Sequence, residues 1–252
     1  MNDRRRTVPV SDGGVPRLPD ALRKAPGRLP AVLATPGRSP FTFGYSLVLP
    51  AASLFAAAAP SAVVHSVLAA TSTDVAHLTG TPLLALTGSA LWTAGGMPLL
   101  SALGIILVLS ALERRVGPGR TAGVFALGHV LATLATEIPV GLAVAAGYLP
   151  PTSLHRLDYG VSFGLMATLG ALTGLVIRLV RWAVLAVTTA VLVQSLLTFT
   201  DPLTDWGHLI ALGTGTGCWP LVRRAAPRGH TGTQNAQGRH RRPSPAWCAL
   251  NP

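Results

Sequence analysis

Asp158-Tyr-Gly-Val-Ser-Phe-Gly164 begins one long apolar run of the chain, and Asp205-Trp-Gly-His208 begins another about 45 residues later. Each stretch places one chemically active side chain, Ser162 or His208, just inside a run whose other residues are mostly apolar or small. Packing of an apolar run needs neither of these side chains. The two stretches therefore predict that Ser162 and His208 meet inside a membrane.

The composition is that of an integral membrane protein. The 252 residues are 49% hydrophobic and only 12% charged, with a mean hydropathy of +0.48, which is too apolar for an ordinary soluble domain of this length. The formal charge of +11 does not indicate a nucleic-acid partner, because 14 of the 20 basic residues lie before residue 40 or after residue 220. Basic tails on a membrane protein more often fix its topology. We expect membrane lipids as partners and no nucleic acid.

Six apolar runs have the length of membrane-spanning helices. They divide the chain into a six-span domain over residues 41–222 and two tails, residues 1–40 and 223–252, which are rich in Pro, Gly and Arg and are predicted to be disordered. The predicted class is an all-α integral membrane protein. The predicted spans are residues 41–59, 95–112, 121–148, 158–177, 182–199 and 205–222.

The distribution of Lys and Arg predicts the orientation of these spans. If the spans alternate, nineteen basic residues lie on one side of the membrane and only Arg156 lies on the other. We therefore expect a multi-pass protein of the plasma membrane with both tails in the cytoplasm. The loops at residues 60–94, 149–157 and 200–204 then face outward.

This orientation gives Ser162 and His208 a common depth. The fourth and sixth spans both enter from the outer side, so the two side chains lie about one helical turn below the outer interface. A serine hydroxyl becomes a good nucleophile when a neighbouring histidine accepts its proton. Two other interpretations need no chemistry: Gly160 and Gly164 have the spacing of a helix-packing motif, and His208 can form a hydrogen bond between helices.

The chain resembles the rhomboid intramembrane serine proteases, which have six spans. In that family the nucleophile lies in a Gly-x-Ser-Gly motif on the fourth span and the base is a histidine on the sixth, followed by small residues. Gly160-Val-Ser162-Phe-Gly164 is similar to the first motif, and His208 with Ala211 and Gly215 is similar to the second. The charged turn at residues 112–120 resembles the turn after the family's second span. Four further stretches are similar to divergent rhomboid-like membrane proteins of actinobacteria: Thr71-Ser-Thr-Asp74, Ser89-Ala-Leu-Trp92, Gly128-His-Val-Leu-Ala-Thr133 and Asp158-Tyr-Gly-Val-Ser162.

The resemblance also identifies departures from the family pattern. Active rhomboids carry a His-x-x-x-Asn pair at the outer end of the second span, where it helps the serine's backbone amide to hold the oxyanion. Counting back from Glu113 puts Met97 and Ser101 at these positions. Methionine cannot donate a hydrogen bond, and loss of an oxyanion donor costs on the order of a hundredfold in turnover. Phe163 replaces the glycine expected directly after the serine.

Two aspartates and a polar stripe are further candidates. Asp158 and Asp205 each lie one turn before a member of the pair, where an aspartate either caps a helix start or tunes the histidine. His129, Thr133, Thr136 and Glu137 lie on one face of the third span and are expected to face the bundle interior. Hydrogen bonding between helices is the simplest role of this stripe, and a proton or ion pathway is the other. No metal or cofactor is predicted, because two ligands without a third do not make a metal site.

Two functions remain open from sequence. One is an intramembrane serine protease that cleaves the transmembrane helix of a protein substrate with Ser162 and His208. Ser101, Gly160, Asp158 and Asp205 are candidates for holding the oxyanion or supporting the pair. The other is a catalytically inactive rhomboid-like protein that binds the transmembrane helices of client proteins. A transporter is disfavoured, because the sequence contains no inverted repeat.

Overall fold

The computed structural model describes residues 35–93 and 99–226, with the backbone alone described at residues 99–101. Within these residues every regular element is helical, as predicted, and no strand is present. Most of the two predicted tails and the start of the second predicted span lie outside the described residues. The α-helices, numbered in chain order, are α1 Pro40–Ala58, α2 Ser61–Ala70, α3 Val75–Gly80, α4 Pro82–Ser89, α5 Leu99–Val116, α6 Pro118–Ala145, α7 Ser162–Thr173, α8 Arg178–Thr198, α9 Pro202–Gly217 and α10 Trp219–Ala225.

Three helices of the described chain, α1, α6 and α8, are long and apolar enough to cross a membrane. The helices in the fourth and sixth predicted spans are shorter: α7 has 12 residues and α9 has 16, against the roughly 20 that a typical bilayer core requires. Because three helices are long and apolar enough to cross a membrane and every described element is helical, the protein is an all-helical membrane protein. The count of six spans stays a prediction.

Several predicted boundaries are wrong. The loop at residues 60–94 contains the helices α2, α3 and α4. The turn at residues 200–204 is mostly helical, because Pro202 occupies the first turn of α9 and the Asp201 side chain accepts a hydrogen bond from the amide of Thr204, as a helix cap does. At the other end of this span α9 stops before Cys218, and the second tail, predicted from residue 223, begins inside α10.

Glu113 joins the end of α5 to the start of α1. Its carboxylate accepts hydrogen bonds from the backbone amide of Phe41 at 2.9 Å, and from the amide and hydroxyl of Thr42 at 2.8 and 2.6 Å. Glu113 is buried, and it supplies acceptors to amides that have no partner within their own helix. The charged turn predicted to begin at Glu113 therefore begins later, at Gly117, and Glu113 is a residue of the core.

Glycines bring α7 and α9 into backbone contact. A Cβ atom on Gly170 would lie 2.4 Å from the carbonyl oxygen of Leu212, and one on Gly215 would lie 2.0 Å from that of Ala167. Phe163, the second residue of α7, contacts Gly207 in the first half of α9, and Gly174, just after α7, contacts Trp219, just after α9, so the two helices run parallel. Gly128 on α6 approaches Ala167 from another side. The helices that carry Ser162 and His208 are thus held side by side with their first turns at the same end.

Candidate functional site around Ser162

Ser162 is the first residue of α7, and hydrogen bonds fix the two residues before it. The amide of Gly160 donates to the carbonyl of Ser89 at 3.0 Å, and the amide of Val161 donates to that of Trp92 at 3.1 Å. Gly160 has a φ of +147°, which side chains rarely adopt. The helix-packing interpretation of Gly160 and Gly164 is therefore wrong, because Gly160 lies outside the helix on which Gly164 packs against Phe125.

The start of α7 offers hydrogen-bond donors beside the serine. Among the residues that the structure describes, the backbone amides of Ser162, Phe163 and Gly164 have no hydrogen-bond partner. Val161, which precedes the helix, provides no side-chain cap. Unpaired amides at a helix start favour negative charge, so a negative oxygen that forms next to Ser162 would find donors in place.

Ser162 and His208 line the same cavity. Its volume is about 410 Å³, and charged and hydroxyl side chains are among the residues that line it. Neither ring nitrogen of His208 has a hydrogen-bond partner, so no hydrogen bond joins the two side chains in this state. Catalytic hydrogen bonds often form only when substrate is bound, and the Ser162–His208 dyad stays a prediction. The remaining residues that line the cavity are Thr73, His129, Arg156, Leu157, Asp158, Tyr159, Gly160, Phe163, Asp201 and Thr204.

The ring of Phe163 separates two histidines. It meets the ring of His208 edge-on at 5.3 Å between centroids and lies 6.5 Å from the ring of His129. Gly207 makes room for it, because a Cβ atom there would lie 2.3 Å from the end of the Phe163 ring. Phe163 is buried. The side chain that replaces the expected glycine is thus packed between α6 and α9.

His129 lines this cavity as well. The polar stripe predicted that His129 faces the bundle interior or a wet cavity, but not that it lies near Ser162. Its Nε2 atom lies 3.1 Å from both the hydroxyl of Ser89 and the carbonyl oxygen of Leu86. The carbonyl can only accept, so Nε2 carries the proton when the imidazole is neutral. Nδ1 then presents a lone pair, and it is buried without a partner. The sequence signal for the position of His129 beside α7 was Gly128, whose small size lets α6 approach α7.

The other residues of the stripe face the interior, as predicted, but they do not share partners with His129. The hydroxyl of Thr136 donates to carbonyls of its own helix, and that of Thr133 is buried without a partner. Glu137 is buried and accepts from Arg156 at 2.8 Å. No group of three or more His, Cys, Asp or Glu side chains suited to a metal occurs within residues 35–93 and 99–226.

The prediction that Asp158 and Asp205 cap helix starts is wrong. Asp158 lies four residues before α7, and its carboxylate accepts from the hydroxyl of Thr73 at 3.2 Å. Asp205 lies buried within the first turn of α9, after the true cap at Asp201. Asp205 remains one turn from His208.

Hydrogen bonds connect the four short motifs on which the actinobacterial resemblance rests. Each motif lies in a different part of the sequence. Three of them supply residues to the wall of the cavity that contains Ser162, and the fourth, residues 89–92, is hydrogen-bonded to these three. The connecting bonds are Trp92 Nε1 to Thr71 Oγ1 at 3.0 Å, the Thr73 amide to the Asp158 carbonyl at 2.8 Å, the Asp158 amide to Ser72 Oγ at 3.0 Å, and Ser89 to both His129 and Gly160.

The predicted oxyanion support on the second span is not described by the structure. Met97 lies outside the described residues. Ser101 lies in α5, but its side chain is not among those described. Any contribution of these two residues therefore stays a prediction.

The fold and the cavity define an all-helical membrane protein with a serine and a histidine at the same end of two parallel helices. The sequence profile of the family described as rhomboid-like protein matches residues 37–228. The chain therefore belongs to the rhomboid-like protein family, as the resemblance predicted. No curated protein and no solved structure gives a significant match.

Proposed function

We propose that the protein is an intramembrane serine protease in which Ser162 is the nucleophile and His208 is the base. The observation that carries the proposal is that both side chains line one cavity of about 410 Å³ at the first turns of α7 and α9. Membership of the rhomboid-like family supports the same function. The substrate is the transmembrane helix of another protein.

The reaction proceeds in two stages. Ser162 Oγ attacks a backbone carbonyl carbon of the substrate while its proton passes to His208, and the oxygen becomes negative beside the amides at the start of α7. The peptide C–N bond then breaks, and the leaving amine takes the proton from His208. In the second stage water attacks the resulting ester and gives up a proton to His208. The ester C–O bond then breaks, the acid is released, and Ser162 Oγ takes the proton back from His208.

Polar side chains in the wall of the cavity support this role, since the second stage needs water. Arg156, Asp158, Asp201 and Thr204 line the cavity, and a cavity bounded by charged and hydroxyl groups accommodates water readily. We place this end of the bundle on the outer side of the plasma membrane, with both tails in the cytoplasm, because of the distribution of Lys and Arg.

A second function has one observation in its favour. Neither ring nitrogen of His208 has a hydrogen-bond partner, and the ring packs against Phe163. A histidine held by packing is compatible with a rhomboid-like protein that binds client helices without cleaving them. In that case Ser162 has the reactivity of an ordinary hydroxyl.

A fluorophosphonate probe, which reacts with activated serines, separates the two functions. We expect the purified wild-type protein to be labelled, and labelling to disappear in both Ser162→Ala and His208→Ala. Matched controls are Ser66→Ala and His65→Ala, two exposed residues of α2, which should label like the wild type. Folded wild-type protein that does not react would contradict the protease.

A further inference from the structure

Four arginines are grouped at the end of the bundle opposite Ser162. Arg178 and Arg181 lie in the first turn of α8, and Arg223 and Arg224 lie in the last turn of α10. We refer to these four residues as the arginine cluster. Arg178, Arg223 and Arg224 are exposed, and Arg181 is half-buried.

Two members of the arginine cluster are held in fixed positions against Trp219. The guanidinium carbons of Arg181 and Arg223 lie 5.1 and 4.7 Å from the centre of the Trp219 ring, so they are at most about 10 Å apart. Nε of Arg181 donates to the carbonyl of Thr173, and Nε of Arg223 donates to that of Gly174. Trp219 is itself fixed by a hydrogen bond from Nε1 to the carbonyl of Gly170 at 2.9 Å.

These contacts leave most of the donors on Arg223 unused. A guanidinium has five N–H groups, and Arg223 uses one of them within the described chain. Its two terminal nitrogens are available for bidentate contact with an anion such as phosphate. A guanidinium that is already positioned loses little conformational freedom when it binds.

Among the residues that the structure describes, no carboxylate forms an ion pair with the arginine cluster. The sequence has no Asp or Glu between residues 159 and 200 or after residue 205. Glu113, the nearest acid on α5, is committed to the start of α1. Among the described residues, the ion pairs of the structure involve Asp74, Glu137 and Asp201, which lie on other parts of the chain. Within residues 35–93 and 99–226 the arginine cluster therefore has no anionic partner, and an external anion can bind there.

The surroundings of the cluster indicate where that anion comes from. Trp182, which is 55% exposed, packs edge-on against Trp219 at 6.4 Å between centroids. Leu179 and Leu221 are 79% and 55% exposed beside the arginines. Tryptophans next to basic residues are typical of the membrane interface, where exposed leucines contact acyl chains. A free phosphate ion would use the arginines but not these apolar side chains.

We propose that the arginine cluster binds the phosphate of an anionic phospholipid, whose acyl chains lie along the exposed apolar residues of α8 and α10. This site is separate from the Ser162 cavity and does not depend on the proposed protease activity. The lipid phosphate ties the start of α8 to the end of α10.

The test uses the purified full chain in nanodiscs that contain phosphatidylglycerol, phosphatidylcholine or a mixture of the two. The measurement is the amount of each lipid that stays bound, determined by native mass spectrometry after release from the disc. We expect the wild type to retain phosphatidylglycerol selectively. The double variant Arg178→Gln/Arg224→Gln removes two exposed charges while leaving the residues against Trp219 in place, and it should weaken retention on the order of tenfold.

The matched control is Arg115→Gln/Arg120→Gln, which removes two positive charges from the same end of the bundle but outside the cluster. It should retain phosphatidylglycerol like the wild type. Equal loss in both double variants would overturn the proposal in favour of diffuse charge attraction. Displacement of the lipid by millimolar inorganic phosphate would overturn the lipid as occupant, and so would equal retention of phosphatidylcholine.

Discussion

The residue after the proposed nucleophile and the residue before the proposed base fit each other. Phe163 follows Ser162, and Gly207 precedes His208. The Phe163 ring occupies the space that any side chain at position 207 would fill, since a Cβ there would lie 2.3 Å from the ring. The fit sets the position of the His208 ring, which Phe163 contacts edge-on.

Gly207→Ala tests this fit. Because a methyl group at position 207 must displace the Phe163 ring, we expect a loss of about 1–3 kcal/mol in the free energy of unfolding. Unfolding by sodium dodecyl sulfate in detergent micelles provides the measurement. Adding Phe163→Leu to Gly207→Ala should restore part of the loss.

The control for this variant is Gly213→Ala on the same helix, where nothing lies within 4 Å of the added Cβ. Alanine is the better helix former, so this variant should be as stable as the wild type or slightly more stable. Equal stability of Gly207→Ala and Gly213→Ala would show that the ring is not seated as described.

Sequence and topology were enough to predict that Ser162 and His208 lie at a common depth, because both lie at the start of an apolar run. Sequence and topology were not enough to predict that His129 lines the same cavity. That placement depends on how α6 rotates against α7, which is decided by contacts such as Gly128 with Ala167. Periodicity predicts which face of a helix is polar, and packing decides what that face meets.

Glu113 stabilises α1 from a distant part of the sequence. Three donors at the start of α1 converge on its carboxylate, and these contacts fix the first helix against the second long helix of the bundle. In contrast, Asp201 caps α9 locally and is exposed. We therefore expect removal of the two caps to lower the free energy of unfolding by different amounts.

Glu113→Ala should lower the free energy of unfolding on the order of 3 kcal/mol, because buried donors lose a charged acceptor. Glu113→Gln should fall between this variant and the wild type, since an amide keeps one acceptor oxygen. Asp201→Ala, the exposed cap, should cost about 1 kcal/mol. The three variants should be unfolded in detergent side by side. If Glu113→Ala lowered the free energy of unfolding no more than Asp201→Ala does, Glu113 would not stabilise the start of α1 as described.

Helix ends were the least predictable part of the fold. The long helices α6 and α8 fall close to their predicted spans, because each apolar run is long enough to define a whole helix despite its few polar residues. The start of α9 at Pro202 and the start of α7 at Ser162 depend instead on a local cap and on the hydrogen bonds of Gly160 and Val161 to the loop after α4. Such bonds join residues that are far apart in sequence.

The two ends of the bundle differ in charge. The end with Ser162 carries Asp74, Asp158, Asp201 and the Arg156–Glu137 ion pair, whereas the opposite end carries the arginine cluster and the basic turn between α5 and α6. This asymmetry is the basis of the proposed orientation, with Ser162 toward the outside and the arginines toward the cytoplasm.

Single cysteines test the orientation in intact cells. The two native cysteines, Cys218 and Cys248, are first replaced by alanine. Thr152 is exposed in the 3₁₀ helix Pro151–His155, and we expect Thr152→Cys to react with a membrane-impermeant maleimide added from outside. Gly119→Cys, exposed in the first turn of α6, should react only after lysis. The reverse pattern would invert the proposed topology.

The proposed reaction assigns different roles to the two histidines that line the cavity. An imidazole accepts the serine proton only when it is neutral. The ionisation of the base should therefore appear as a step in the dependence of the reaction rate on pH. His208 is the base in this account. His129, whose Nε2 proton is held by Leu86, is a structural neighbour that keeps Ser89 in contact with Gly160.

The rate of fluorophosphonate addition to Ser162 as a function of pH distinguishes these roles. We predict that the wild-type rate rises with pH through one ionisation, as the base loses its proton, and that this step vanishes in His208→Ala but persists in His129→Gln. A step that persists in His208→Ala and disappears in His129→Gln would contradict the assignment of His208 as the base.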